Sequence, residues 1–500
     1  MRRALSVLTL LTFCIHGYHP LAEDGGLYVA GVEYTLDPAL FPHYTAFVTE
    51  HLRFSLFAPA LATLVHLTHL PLLWILLLTD IFSIALTLYA ALQILRRCIA
   101  SESAQLTGLA LLTAFWTLPI AGTSLMLMDP YVTARSISLP LSLFAIAFAL
   151  NPWKLRVPHV SLLRRGWTYT AACAACLLLA ALFHPLMAFY ALAFVVTLRL
   201  GRLRRRHLAY VLLTVTALAL AATLQALAPV ESPAVTAAAI TRYYWFLSQW
   251  QWYELVGLLG PLAVLAALLL WRHNHINPVA ITLLRASIML GLIAMLTALL
   301  FAHEDCATHL VARLQPLRVF LLIYAVMTLL LGATLVQILQ NTPLRALLFL
   351  TLCSIMFAVQ RNTFHLSPHI ELPNGTNQNP WVQAFLWGRN NTPPEALFAL
   401  DAKYVNEDGE DAQTFRAWSL RSALPDYSKD GGEASITPAL APAWQQASDA
   451  QKNLSTETDA ERDTRLLPFH VTWMVLHSSA FTHHLCPYDN STVKLCRLTP

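Results

Sequence analysis

Long apolar runs separated by short polar interruptions fill the chain up to about residue 360, and the pattern then stops. The runs fall near 4–17, 70–96, 105–123, 132–150, 168–184, 186–200, 208–227, 254–271, 277–301, 316–340 and 344–359. A membrane-crossing helix needs about 20 predominantly apolar residues, so the pattern predicts about eleven transmembrane helices, several of them short. Residues 18–69 separate the first two runs as a long loop that turns apolar again from Phe54, which predicts a helix at the interface or against the bundle, or else an extra span that would flip the downstream topology, against which the arginine distribution argues. Beyond residue 361 the sequence reads as soluble. Trp381 to Trp387 predicts a helix, Ala396 to Leu400 and Val471 to Leu476 predict strands, and residues 438–465 read as helical or loose. The expected architecture is an all-α polytopic membrane bundle over residues 1–360 with a small α/β domain over residues 361–500.

Composition agrees, and it excludes a soluble globular protein. Apolar residues make up 57% and charged residues 12%, about half the roughly 25% charge of a soluble domain. The basic residues are segregated along the chain and give no reason to expect a nucleic-acid partner. Arg2-Arg3, Arg96-Arg97, Lys154/Arg156/Arg164/Arg165, Arg199 to Arg206, Arg272/Arg285 and Arg345 alternate with loops carrying mainly Arg53, Arg135, Arg242, Arg313 and Arg318. Cytoplasmic loops carry the excess of Lys and Arg, which puts the N-terminus in the cytoplasm and the C-terminal domain outside. An odd number of spans gives the same orientation. Met1-Arg2-Arg3 and the first run resemble the start of a signal peptide, but no A-x-A cleavage pattern follows, so a retained anchor is expected.

Cys14, Cys98, Cys173, Cys176, Cys306 and Cys353 lie in or near apolar runs and read as packing residues. Cys486 and Cys496 flank a short turn in the outer domain, where a hairpin and an oxidising compartment would let them pair.

Candidate chemistry collects where this topology reaches the outer face. The first loop supplies His19, Glu23, Asp24 and Asp37; the next outer turns supply Asp129, Tyr131, Arg135 and His184. The loop before the run at 316–340 supplies His303, Glu304, Asp305, His309, Arg313, Gln315 and Arg318. Arginine holds phosphate bidentately, a carboxylate takes a proton, and an acidic pair such as Glu304-Asp305 holds a divalent metal. Plainer roles compete at each position: Asp129 as a helix cap, His184-Pro185 as a turn, Arg313 and Arg318 as snorkelling side chains. Residues 228–254 carry Tyr243, Tyr244, Trp245, Trp250, Trp252 and Tyr253, which suit an interfacial aromatic belt or stacking on a substrate. Asp80 lies inside an apolar run with no assigned role.

The acidic pair directly after the first span resembles the GT-C superfamily of polytopic glycosyltransferases. The matching stretches are HPLAEDGGLYVAG (19–31), DPYVTARSISLP (129–140), FHPLMA (183–188), WQWYELVGLLGPL (250–262), RLQPLR (313–318) and NTPPEALFAL (391–400). They are most similar to an uncharacterised bacterial branch, and no signature of the oligosaccharyltransferase or protein mannosyltransferase branches is matched. The resemblance implies transfer of a sugar from a polyprenyl-phosphate donor to a glycan, lipid or protein acceptor, in a bacterial inner membrane. It implies Asp24, with Glu23 as its alternate, as the catalytic acid, and a divalent metal, Mg or Mn, as an optional cofactor. Arg313, Arg318 and Arg135 are the candidates for the donor phosphate, and His19, Asp129, His184, Gln315 and Trp252 for substrate contacts. The same groups would also suit the vestibule of a lipid-linked-glycan flippase or the surface of a non-catalytic scaffold. The paired broken helices of a transporter are not evident.

Overall fold

The computed structural model describes residues 1–150, 162–272 and 277–498. Lys154 and Arg156, assigned above to an inner loop, lie outside the described residues. Each apolar run falls on a helix: Arg2–His16, Leu72–Cys98, Glu102–Ala114, Ala134–Ala149, Leu162–Phe183, Pro185–Leu200, Arg206–Leu227, Trp252–Arg272, Pro278–Phe301, Phe320–Ile338 and Thr342–Thr363. Among the described residues, six helical stretches are long and apolar enough to cross a membrane unaided. Arg2–His16, Glu102–Ala114, Ala134–Ala149 and Pro185–Leu200 are shorter, at 13 to 16 residues, so length alone does not establish the eleven crossings expected. The run at 105–123 stops being helical at Ala114, and the chain then folds back through a bridge between Pro119 and Met126. His184 takes an extended conformation before Pro185, which splits residues 162–200 into two helices.

The protein is a multi-pass membrane protein with a central, enclosed helix. Phe320–Ile338 is apolar on every side, as a helix surrounded by others must be; Phe320, Leu322, Ile323 and Val326 are wholly buried. It crosses Glu102–Ala114 where two glycines meet: a Cβ on Gly332 would lie 2.8 Å from Gly108 Cα. In lipid, small residues at such crossings give helices the dispersion contacts that hold them together. Arg206–Leu227 and Thr342–Thr363, with only 11% of their apolar stretch buried, lie at the periphery.

The long first loop carries two helices. Phe57–Thr68 occupies the apolar stretch expected to be helical. Glu23–Leu36 was not among the expected elements. The two helices pack through Val29, Val32, Phe57 and Leu61, with Leu76 of Leu72–Cys98 beneath them.

The C-terminal domain is built on five strands: β1 (Leu397–Ala399), β2 (Ser422–Ala423), β3 (Trp473–His477), β4 (Tyr488–Asp489) and β5 (Val493–Arg497), in the order β2-β1-β3-β5-β4. β1 is parallel to β2 and β3, while β3–β5 and β5–β4 are antiparallel. Alternation along β1 sends Phe398 to one face, with Phe385, Phe415 and Trp473, and Leu397 and Ala399 to the other, with Met474 and Leu466. Cys486 and Cys496 form a disulfide that ties the last hairpin.

Backbone hydrogen bonds dock this domain on the first loop. Glu23 N–H donates to Ala412 O at 2.7 Å, Thr414 N–H to Leu21 O at 3.1 Å and Glu371 N–H to Tyr18 O at 2.9 Å.

Candidate functional site

The first turn of Glu23–Leu36 is wedged between the membrane domain and the C-terminal domain. Glu23 has φ 52, in the left-handed region that costs a side-chain-bearing residue free energy. Its backbone bond to Ala412 holds it there. Gly26 permits the close approach: a Cβ at that position would lie 2.2 Å from Thr414 Oγ1. Glu23 and Asp24 therefore stand at a helix N-terminus, which favours carboxylates, and face side chains from three other segments.

Those side chains form a continuous chain of charge. Lys429 Nζ donates to Asp24 Oδ1 at 3.2 Å and ion-pairs with Glu23. Arg135 Nη2 lies 3.4 Å from Asp24 Oδ2 and 2.7 Å from Asp129 Oδ2. Burial pushes the Asp24 pKa up, but Lys429, Arg135 and Arg318 outweigh it and hold the carboxyl well below the usual range. Asp24 is thus a fixed anion, 41% exposed to the cavity beside it, and a poor proton acceptor near neutral pH. Burial disfavours the Lys429 ammonium, yet Glu23 and Asp24 shift its pKa upward. Asp129 is pushed up by burial, with Arg135 opposing.

This chain of charge borders a cavity of about 500 Å³. The membrane domain contributes Tyr131, Arg135, His184, Gln315 and Arg318; the aromatic loop contributes Arg242, Tyr243 and Tyr244; the C-terminal domain contributes Tyr427, Lys429 and Glu433. Arg318 stacks over the Tyr244 ring at 5.2 Å, and among the described residues its guanidinium makes no hydrogen bond or ion pair. Gln315, also left-handed at φ 49, presents a buried Oε1 with no hydrogen-bond partner among the described residues. His184 Nδ1 accepts from the Met187 N–H at 3.3 Å, so that nitrogen is unprotonated. Glu433 is pushed up to about 8, mainly by burial, with Asp430, Asp24 and Glu50 adding to the effect. It titrates close to neutrality in the cavity wall.

A second cavity of about 520 Å³ adjoins the first, and Leu186 lines both. Its wall is nearly all apolar: Phe189, Tyr190, Leu220, Leu224, Leu290, Ile293 and Leu314 among others. It lies between Pro185–Leu200, Arg206–Leu227 and Pro278–Phe301, and Leu314 and Pro316, the neighbours of Gln315, also line it.

Of the residues singled out from sequence, Glu23, Asp24, Arg135, His184, Gln315 and Arg318 line the polar cavity. Asp129 stands behind Arg135. Arg313 is outside the cavity wall: its Nη2 donates to Glu231 at 2.9 Å and its Nε to Ser435 O at 2.7 Å. His19 is fully buried, pairs with Glu371 at 2.8 Å and stacks on Phe364, so it serves the domain junction. Trp252 is 75% exposed and lines neither cavity. The aromatic loop divides: Tyr243 and Tyr244 face the cavity, Trp245 and Trp250 are buried, and Trp252 and Tyr253 are exposed. Sequence reading missed Lys429, Glu433 and Tyr427. Their only signal is the run Tyr427-Ser-Lys-Asp-Gly-Gly-Glu433 in a region where charge is ordinary.

The described residues at Glu304-Asp305 and at Glu23-Asp24 do not fit a divalent metal. Among the described residues no three histidines, cysteines or carboxylates group as ligands. Glu304 accepts from Ser248 Oγ at 2.8 Å and Asp305 is exposed. At Glu23-Asp24 the space between the carboxylates belongs to Lys429.

No protein-family model matches the sequence, and no curated protein is significantly similar to it. Solved structures are similar in fold. One is the archaeal oligosaccharyltransferase AglB from Archaeoglobus fulgidus in complex with an inhibitory peptide and a dolichol-phosphate, at TM-score 0.51 and 13% identity. Another is the Archaeoglobus fulgidus oligosaccharyltransferase tethered to an acceptor peptide containing the NVT sequon, at TM-score 0.51 and 12% identity. Each superposition covers 95% of this chain and 69% of the other. The chain has a GT-C-like fold.

Proposed function

We propose that this protein transfers a sugar from a polyprenyl-phosphate-linked donor to an acceptor at the outer face of the membrane. The observation that carries the reading is the pair of adjoining cavities, one polar with an arginine that makes no hydrogen bond among the described residues and one apolar between helices. A polyprenyl phosphate requires both, end to end. The fold neighbours lend support, since one carries a dolichol-phosphate and the other a tethered acceptor peptide.

In this reading the prenyl chain lies along Phe189, Leu220 and Leu290, and the phosphate meets Arg318 near Leu186. Arg318 supplies fixed donors to the charge that grows on the phosphate as the anomeric bond breaks. The acceptor attacks the anomeric carbon from the opposite side, displacing polyprenyl phosphate with inversion. Asp24, held ionised, stabilises positive charge on the sugar and orients it through hydrogen bonds. Glu433, with a pKa near the working range, takes the acceptor proton. Residues 1–360 form the membrane domain with eleven crossings and a cytoplasmic N-terminus, and residues 361–500 stand outside a bacterial inner membrane and close the cavity.

The test is sugar transfer by purified protein in lipid nanodiscs, given radiolabelled polyprenyl-phosphate sugars and a cell-envelope extract. Label reaching acceptor with wild type, and not with a folded Asp24→Asn variant, supports the reading. Equal transfer by both removes Asp24 from the chemistry, and donor translocation without transfer would favour a flippase.

A further inference from the structure

We propose that Lys429 is the resident cation of the acidic pair: its ammonium, delivered by the C-terminal domain, neutralises and orients Glu23 and Asp24, and the site takes no divalent ion. The proposal gains its catalytic meaning from the transferase reading but stands on geometry of its own.

Lys429 contacts both carboxylates, and its side chain is only 14% exposed. It is also held from behind. Asp426 Oδ1 accepts the backbone N–H groups of Ser428 at 2.7 Å and Lys429 at 2.6 Å, fixing the start of Lys429–Ile436. Asp430, the next residue, is clamped by Arg416 Nη1 at 2.7 and 2.8 Å. Arg242, from the membrane domain, donates to the carbonyls of Ser428 at 2.7 Å and Tyr427 at 3.0 Å. The ammonium is therefore positioned by both domains and not left to swing.

The second oxygen of Asp24 faces Arg135, whose nearer partner is Asp129. Hard divalent cations take about six or more oxygen ligands. Here two carboxylates already face two fixed cations, and a divalent ion entering between them would sit against an ammonium. Because Lys429 arrives with the C-terminal domain, docking of that domain completes the charge arrangement at the first loop.

The experiment is Mn2+ binding by full-length protein in phosphatidylcholine nanodiscs, read from loss of the free-ion EPR signal. Wild type should bind no more Mn2+ than Asp24→Asn. Lys429→Ala, which vacates the place of the ammonium, should gain one Mn2+ bound at least about tenfold more tightly than wild type binds any. Lys429→Arg should behave as wild type. A stoichiometric Mn2+ in wild type that Asp24→Asn abolishes would overturn the proposal, and so would a folded Lys429→Ala with no gain. Should Lys429→Ala fail to fold, the comparison of wild type with Asp24→Asn decides alone. None of these outcomes depends on sugar transfer, so failure here and failure of the transferase reading are told apart.

Discussion

Truncating Arg318 to alanine should weaken binding of a polyprenyl phosphate by about ten- to 150-fold. A hydrogen bond to a charged group contributes about 1.5–3 kcal/mol, and each 1.4 kcal/mol is about tenfold in affinity. The structure puts Arg318 at the full value. Among the described residues its guanidinium has no hydrogen-bond partner, so binding a phosphate breaks nothing within the protein. The Tyr244 ring at 5.2 Å keeps it aimed. For the same reason Arg318→Ala should leave thermal stability nearly unchanged. The assay is titration of a fluorescent polyprenyl phosphate into nanodisc-embedded protein, with thermal unfolding measured in parallel. Arg313→Ala is the contrast: it breaks the bonds to Glu231 and Ser435 and should lower stability while leaving donor affinity intact. Unchanged affinity in folded Arg318→Ala, or an equal loss in Arg313→Ala, would refute the placement of the phosphate.

Gly26→Ala should loosen the docking of the C-terminal domain by about 1–3 kcal/mol, the usual cost of overpacking, because its Cβ would meet Thr414 Oγ1 at 2.2 Å. Adding Thr414→Gly should recover part of the loss in thermal unfolding, part only because Leu21 O is also close, at 2.5 Å. Ala221→Phe, which projects into the apolar cavity, should weaken binding of a long-chain polyprenyl phosphate by about 1–3 kcal/mol and spare a short-chain one, as read in the same titration. Glu433 has its folded pKa raised from 4.5 to about 8, so between these values the folded state binds more protons than the unfolded state. Stability must then fall as pH rises across that window. Glu433→Gln should flatten this slope in melting temperatures taken from pH 5 to pH 8; an unaltered slope would show that Glu433 is not the titrating group.

Half of the polar site is legible in the sequence because a membrane protein sorts its charge. Glu23-Asp24 after the first apolar run, Arg135, His184 and Arg318 stand out since ionisable groups near lipid are costly and rare. Lys429 and Glu433 do not stand out, because their surroundings in the chain are soluble and charged groups there mark nothing. The reach of Lys429 to Glu23 and Asp24 spans more than 400 residues of chain, and no local pattern encodes it. Periodicity located the apolar helices and the strands at 397–399 and 473–477. It missed Glu23–Leu36, which lies outside the apolar runs and where two glycines serve close packing against Tyr131 and Thr414. Arg313 and Arg318 are equivalent as sequence; only tertiary structure shows that Glu231 and Ser435 engage the first by hydrogen bonds, while among the described residues the second has only the Tyr244 ring against its guanidinium. Asp80 is buried in Leu72–Cys98, and its role stays unassigned.

The central claim is that one lipid-linked phosphate spans both cavities, and photo-crosslinking tests it most directly. A polyprenyl phosphate with a photoreactive group on its first isoprene unit is irradiated with the protein in nanodiscs, and labelled peptides are mapped by mass spectrometry. The account predicts label on Leu186, Phe189, Tyr190 or Leu314, at the junction of the two cavities, and its loss in Arg318→Ala. Label confined to the peripheral helix Thr342–Thr363, or junction label that Arg318→Ala leaves undiminished, would contradict it.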